Sequence, residues 1–221
     1  MSSPPPVVLV HGFLATRSLM WPMRRRLSRS GRGVFTVPLS PLVIQDVRRL
    51  AKELDAGIDR LRDQLGAEQV DVVGVSQGGI LALWWAHHLA GFERTRRLLL
   101  VGAPVQGTWA AAAGLPVLGA VSRGIWQLVP GAPLLRELDR PLPTGARVHT
   151  LALEGDPVSP EARCRVPGAP HETFPAGYGP LTHQYLVFSR PLADRVTAIL
   201  DEHEPGGEAG APDQPERSRD F

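Results

Sequence analysis

This sequence predicts an α/β fold with a doubly wound, mostly parallel sheet. Short apolar runs recur along the chain, helix-period segments separate them, and one run leads directly into Gly74-Val75-Ser76-Gln77-Gly78. Val7–Val10, Val34–Leu39, Val70–Val75 and Leu98–Val101 read as strands buried on both faces, as parallel strands between helical layers must be. Arg147–Leu153 reads as a fifth strand and His171–Phe174 as a weaker sixth. Alternating strands and helices imply right-handed crossovers and parallel pairing.

The clearest helix runs from Gln45 to Leu65, where Val47, Leu50, Leu54, Ile58, Leu61 and Leu65 recur at three and four and form one apolar stripe. Pro22 opens an earlier helix, at a position where a missing N–H costs little. Ile80–Leu89 follows the glycines after Ser76 as a helix-like stretch, and Leu192, Val196, Ile199 and Leu200 mark a last helix. Two segments break the rhythm. Residues 104–143 form an apolar insertion after the fourth strand, and a segment this long and this apolar should fold into short helices over the site. Residues 204–221 are rich in Gly, Pro and charge and read as a disordered tail, which leaves a single domain over residues 1–203.

Bulk properties exclude several classes. Of the 221 residues 43% are hydrophobic and 21% charged, which is ordinary for a globular chain, and a net charge of +2 is too small to argue for a nucleic-acid surface. Lys52 is the only lysine, so the basic residues are almost all arginine. The cluster Arg24-Arg25-Arg26 with Arg29 and Arg32 reads as a solvated helix face and its exit, with an anion patch as the alternative. Cys164 is the only cysteine, so no intrachain disulfide and no cysteine-based metal site can form. The histidines lack metal-ligand spacing and there is no phosphate loop, so no metal and no cofactor is expected. The N-terminus has no positive n-region followed by a long apolar stretch, and no span approaches membrane length. The cytoplasm is therefore the default compartment, with secretion after signal removal left open. Stable membrane insertion is not expected, and the oligomeric state is not legible.

The chemistry centres on Ser76. In a G-x-S-x-G turn between strand and helix, the residues two before and two after the serine must be small, and Gly74 and Gly78 meet that demand. A serine hydroxyl needs a base to take its proton, a carboxylate to orient the base, and N–H donors for the oxyanion. Asp156, in Glu154-Gly155-Asp156-Pro157 just past the fifth strand, is the leading acid, although Asp-Pro is equally a common turn pair. Glu154 and Asp139 are weaker rivals. His183, in a Gly- and Pro-rich loop before the last helix, is the leading base, with His171 as its rival. The chain order serine, acid, histidine is the one this architecture uses. The backbone N–H groups of Phe13 and Gln77 are the candidate oxyanion donors, and His11 reads as a structural histidine. His87 and His88 read as surface or packing groups. Trp109 and Trp126, in the insertion, are candidates for contacting an acyl chain, or simply pack the insertion onto the core.

Together, Val7–Phe13 with its His11-Gly12-Phe13 ending, Gly74–Gly79, Asp156 and His183 resemble the α/β-hydrolase superfamily, and within it small bacterial lipases and esterases. Gly102-Ala103-Pro104-Val105-Gln106-Gly107-Thr108 resembles a segment those lipases carry after the strand that follows the elbow. The resemblance spans roughly residues 7–203. It implies a compact sheet of about six strands and a small-molecule ester or lipid substrate. It also implies a Ser76–His183–Asp156 triad, an oxyanion hole from Phe13 and Gln77, and a lid or cap at 104–143. The chain departs from many relatives at Gln77, where they have methionine, and at Thr182, where they have glycine. A thioesterase or acyltransferase would use the same triad, and a non-catalytic binding protein on this fold is the reading from a different class.

Overall fold

The structure, a computed structural model, describes residues 4–40 and 44–202. The tail read at 204–221 lies outside the described residues. Six strands form one parallel sheet in the order β2-β1-β3-β4-β5-β6. They are β1 (Val7–Val10), β2 (Val34–Thr36), β3 (Val70–Val75), β4 (Thr95–Val101), β5 (Val148–Leu153) and β6 (His171–Phe174). Alternate residues face two separate cores. Val8, Val10, Val70, Val72, Leu98 and Leu100 meet α2 (Val47–Leu65) and α3 (Gln77–His88). Val7, Leu9, Val73, Val75, Leu99 and Val101 meet α1 (Trp21–Leu27) and the last helix, Arg190–Asp201. A sheet covered on both faces needs apolar residues at every register position, which is why the strands read as continuous apolar runs.

The differences from the sequence reading have local causes. β2 stops at Thr36 rather than Leu39: it is an edge strand, Pro38 has no N–H to donate, and Val37 turns to pack against Gly57 of α2. β4 begins at Thr95, because Arg96 continues the strand while its guanidinium clasps Asp71 of β3 at 2.9 and 2.5 Å. Asp71 is fully buried, and burial pushes its carboxyl up against the pull of Arg96 and Arg32. α2 starts at Val47, where the Asp46 side chain accepts from Arg48 N–H at 2.8 Å, and ends at Gly66 with φ 59°. Its stripe is buried as far as Ile58, whereas Leu65 at the exit is exposed.

The insertion folds as expected into short helices: α5 (Trp109–Leu118), α6 (Arg123–Gln127) and α7 (Pro133–Glu137), after the one-turn α4 (Gly91–Arg94). Side-chain clasps fasten it to the body. Gln127 Oε1 accepts from Val47 N–H at 2.8 Å, and Ser122 Oγ donates to Ile44 O at 3.0 Å. The Glu137 carboxylate accepts from Arg48 of α2 and, at 2.7 Å, from Trp84 Nε1 of α3. Arg48 holds the Glu137 carboxyl below the usual range. Among the described residues no helix is long and apolar enough to cross a membrane.

Candidate active site

The site forms where β1, β3 and β5 end. β3 leads into Ser76, which has φ 55° and ψ −128°, a conformation L-residues adopt only under constraint, and α3 begins at the next residue. The helix therefore starts at Gln77, three residues earlier than the sequence suggested, with Gly78 and Gly79 inside its first turn. That packing leaves no room for side chains. A Cβ on Gly74 would come within 2.5 Å of Gly79 Cα, and one on Gly79 within 2.5 Å of Ala103 Cβ. A Cβ on Gly78 would overlap the carbonyls of Val10 and His11. β1, β3 and β4 are thus drawn together around the elbow by glycine contacts.

Three predicted side chains meet. Ser76 Oγ lies 2.8 Å from His183 Nε2, and His183 Nδ1 lies 2.8 Å from Asp156 Oδ2. His183 sits in a 3₁₀ segment, Gly179–Val187, steadied by Thr182 Oγ1 donating to Gly179 O at 2.8 Å. Thr182 at this position thus holds the loop rather than disturbing it. Asp156 is buried, and its second oxygen, Oδ1, accepts from the backbone N–H groups of Val158 at 2.8 Å and Ser159 at 2.9 Å. The turn reading and the acid reading of Asp156 are therefore compatible: one oxygen closes the turn after β5, and the other faces the imidazole. The rivals lie elsewhere. Glu154 and Asp139 are exposed, and His171 Nδ1 pairs with Thr150 Oγ1 at 2.8 Å in the sheet.

His87 and His88 are packing groups, with His87 edge-on to Phe92 at 5.0 Å, and His203 lies outside the described residues. Burial lowers the basicity of His11, whose Nδ1 stands 3.4 Å from Gly12 O. His88 stacks on Trp84 at 4.5 Å. Cys164 is buried, and burial pushes its thiol up to about 12, so it offers no competing nucleophile. Among the described residues no cluster of His, Cys, Asp or Glu could hold a metal ion.

Gly12 brings the exit of β1 against the elbow. A Cβ there would lie 2.9 Å from both Ser76 Cβ and Val75 O and 3.3 Å from Gln77 N. Phe13 follows immediately, so its backbone shares this crowded corner. Gln77 opens α3, and its N–H is one of the first-turn donors without an intrahelical acceptor.

One feature escaped the sequence reading. The Gln77 side chain is buried, and among the described residues neither amide atom finds a hydrogen-bond partner. Gly124 of the insertion lies directly against it, with a would-be Cβ 2.9 Å from Nε2. Trp109 and Trp126 are largely exposed, at 65% and 55%. Arg163 lies 5.7 Å from the Trp109 ring centroid, and Trp126 Nε1 donates to Gly119 O at 2.8 Å. These contacts, not a contact with Ser76 or His183, are what the structure gives the two tryptophans.

Chemically, an imidazole between a hydroxyl and a carboxylate can take the hydroxyl proton on one nitrogen while the other is held as a donor. No protein-family model matches the chain, and no curated protein matches it by sequence. Solved structures do match in fold. Bacillus licheniformis lipase BlEst2 in its mature form superposes with a TM-score of 0.68 at 16% identity, over 89% of this chain and 92% of that one. An esterase from Exiguobacterium antarcticum gives a TM-score of 0.61 at 18% identity, over 91% and 94%. An alpha/beta hydrolase enzyme from the metagenome of Mar Chica lagoon sediments gives 0.60 at 18% identity, over 90% and 89%. The chain therefore has the α/β-hydrolase fold and resembles lipases and esterases in architecture.

Proposed function

We propose that this protein is a serine hydrolase of carboxylic esters, of esterase or lipase type. One observation carries the reading: the Ser76 hydroxyl, on a positive-φ elbow, stands 2.8 Å from an imidazole whose other nitrogen stands 2.8 Å from a buried carboxylate. Ser76 Oγ attacks the ester carbonyl carbon as His183 Nε2 takes its proton. The oxyanion forms against the N–H groups of Phe13 and Gln77, where losing one donor typically costs about a hundred- to a thousand-fold in rate. Asp156 fixes the imidazole orientation and stabilises its protonated form. Collapse of the tetrahedral intermediate expels the alcohol, which takes the proton from His183. Water then attacks the acyl-enzyme with His183 as base, and the acid is released. The 104–143 segment acts as the cap over the acyl side, and Trp109 and Trp126 contribute apolar surface there.

A p-nitrophenyl ester series from short to long acyl chains, measured beside Ser76→Ala, tests this. Hydrolysis that disappears in Ser76→Ala supports the mechanism, and hydrolysis that survives the substitution overturns it. A sharp fall beyond short chains would leave an esterase and discard the lipase form.

A further inference from the structure

We propose that the exit of β4, which supplies none of Ser76, His183 and Asp156, positions the histidine: Leu186 seats in a notch left open by Gly102, and that seat sets the reach of the His183 imidazole to Ser76. This role rests on the proposed hydrolysis, whereas the packing behind it can be observed without it. Gly102-Ala103-Pro104, conspicuous in the sequence, stands where the strand exits meet. Val101 O accepts from Ser76 N–H at 2.8 Å, and Gly102 N–H donates to Leu151 O of β5 at 2.7 Å. Ala103 Cβ fills the space that a side chain on Gly79 would need. The strand that leads to Ser76 and the strand that leads to Asp156 are therefore registered through β4.

His183 is held differently. The buried residues of its 3₁₀ segment, Gly179–Val187, are Thr182, Leu186 and Val187. Among the described residues, the N–H groups of Leu181, Phe188 and Ser189 bond back to Tyr178 and Tyr185 rather than to a strand. Attachment of the segment to the sheet thus falls to side chains. In a 3₁₀ helix side chains three apart eclipse, so His183 and Leu186 share one face. Leu186 is 1% exposed and shares a core with Val75, Val101 and Leu153, at the strand ends beside the site. Gly102 makes room for it. Its φ of 56° disfavours any side chain, and a Cβ there would lie 2.5 Å from Leu186 Cδ1, 2.8 Å from Cδ2 and 3.2 Å from Cγ. One glycine therefore serves both the turn after β4 and the seat of the histidine segment.

The test is a set of variants of the full chain, read by steady-state kinetics on one soluble ester, by Tm and by crystal structures. Leu186→Ala should lower kcat at least about tenfold with KM within about twofold, because a shift of about 1 Å in a reacting group costs roughly a hundred-fold. Leu186→Met, which keeps the volume, should stay within about threefold of the native chain. Ile199→Ala, in the same core but on the last helix, should lower Tm as Leu186→Ala does and leave kcat unchanged. Gly102→Ala should lower kcat about a hundred-fold. Gly145→Ala, at φ 82° with open space around it, should not lower kcat. Joined in one chain, Gly102→Ala and Leu186→Ala should lose little more than the larger single loss, because each unseats the same side chain. Equal kcat losses from Leu186→Ala and Ile199→Ala overturn the proposal, as do multiplicative losses in the double variant. The crystal structure of Gly102→Ala, or of Leu186→Ala should Gly102→Ala fail to fold, should show His183 Nε2 no longer within hydrogen-bond reach of Ser76 Oγ. Retention of the 2.8 Å contact overturns the proposal. That readout needs no turnover, so it separates failure of the positioning from failure of the hydrolase reading.

Discussion

The elbow around Ser76 and the 104–143 segment border one site, but different contacts hold them. At the elbow the contacts are backbone against backbone or against a neighbour's Cβ: Gly12, Gly74, Gly78 and Gly79 each sit where a single added carbon would overlap a neighbour. The segment is held largely by side chains, through Gln127, Ser122, Glu137 and buried Ile125, Leu134 and Leu135, with backbone bonds from Gly124 N–H to Ile44 O and from Gln106 N–H to Arg163 O, and its outward residues Val117 and Val121 are 79% and 68% exposed. Backbone contacts have no freedom to repack, so the elbow fixes where the hydroxyl points. Side-chain clasps can be exchanged one at a time, so the segment can vary what it covers without moving the hydroxyl. Under the proposed function the difference separates two tasks: reaction geometry on rigid strand exits, and substrate selection on an insertion.

The largest expected effect lies within the elbow. Ser76→Ala and His183→Ala should each lower kcat by about a million-fold, and the double variant should lose no more than either single one, because the pair acts as a unit. Steady-state kinetics on one soluble ester checks this. Multiplicative losses would show that the 2.8 Å contact is not used as a relay. Gly12→Ala comes next. Its new carbon would meet Ser76 Cβ and Val75 O at 2.9 Å, so the exit of β1 must shift. A shift of about 1 Å corresponds to roughly a hundred-fold in kcat. The loss should be the same for short and long acyl chains, whereas Trp109→Ala should change the ratio between chain lengths and leave the shortest ester nearly unaffected. Equal effects of both variants on that ratio would break the division of tasks.

How much of this was legible follows the same line. Ser76, Asp156 and His183 could be placed because each stands at a strand exit or in a loop whose local pattern declares it: G-x-S-x-G, Asp-Pro after an apolar run, and His in a Gly-Pro loop. The inner strands were legible because burial on both faces leaves apolar runs, whereas the half-buried edge strand β6, His171-Glu172-Thr173-Phe174, carries only a weaker pattern. What the sequence hid depends on partners distant in the chain. Asp71 lies inside the Val70–Val75 run, and its partners Arg96 and Arg32 come from other parts of the chain. The short β2 reflects its edge position, which only the strand order reveals. The stranded Gln77 amide exists because Gly124 closes over it, and nothing near residue 77 announces that. Trp109 and Trp126 were singled out by composition alone, which cannot tell an inward ring from an outward one.

The contact between the two regions can be sharpened at Gln77. Among the described residues its buried amide has no partner on either atom, while its backbone N–H is the group the proposed chemistry uses. Replacing a buried unsatisfied polar group by an apolar one of similar shape removes a desolvation cost of about 1–3 kcal/mol. Gln77→Met should therefore raise Tm by about 2–4 °C for each kcal/mol recovered, with kcat on a short ester retained. A lower Tm would mean that the amide is satisfied when the protein is in solution.

The smallest effect concerns the clasp that holds the segment. Glu137 accepts from Arg48 and Trp84, and the Arg48 contact is the main reason its carboxyl sits below the ordinary 4.5. For a carboxylate depressed on folding, the stabilisation is complete above the unfolded value of 4.5 and is lost as pH falls through the lower folded value. The side chains of Arg48 and Glu137 are 37% and 33% exposed, so solvent screens the pair and its worth is under about 1 kcal/mol. Hydrogen exchange of the amides of α6, corrected for intrinsic rate, should accelerate two- to fivefold below that window, roughly what such an energy permits. Glu137→Gln should show the faster exchange already at neutral pH and no further change on acidification across the window. Amides of Gly78 and Gly79 should not respond to Glu137→Gln, because the close backbone packing of the elbow does not depend on the Arg48–Glu137 pair; if they accelerate with α6 in that variant, the two regions open as one unit and the division between them fails.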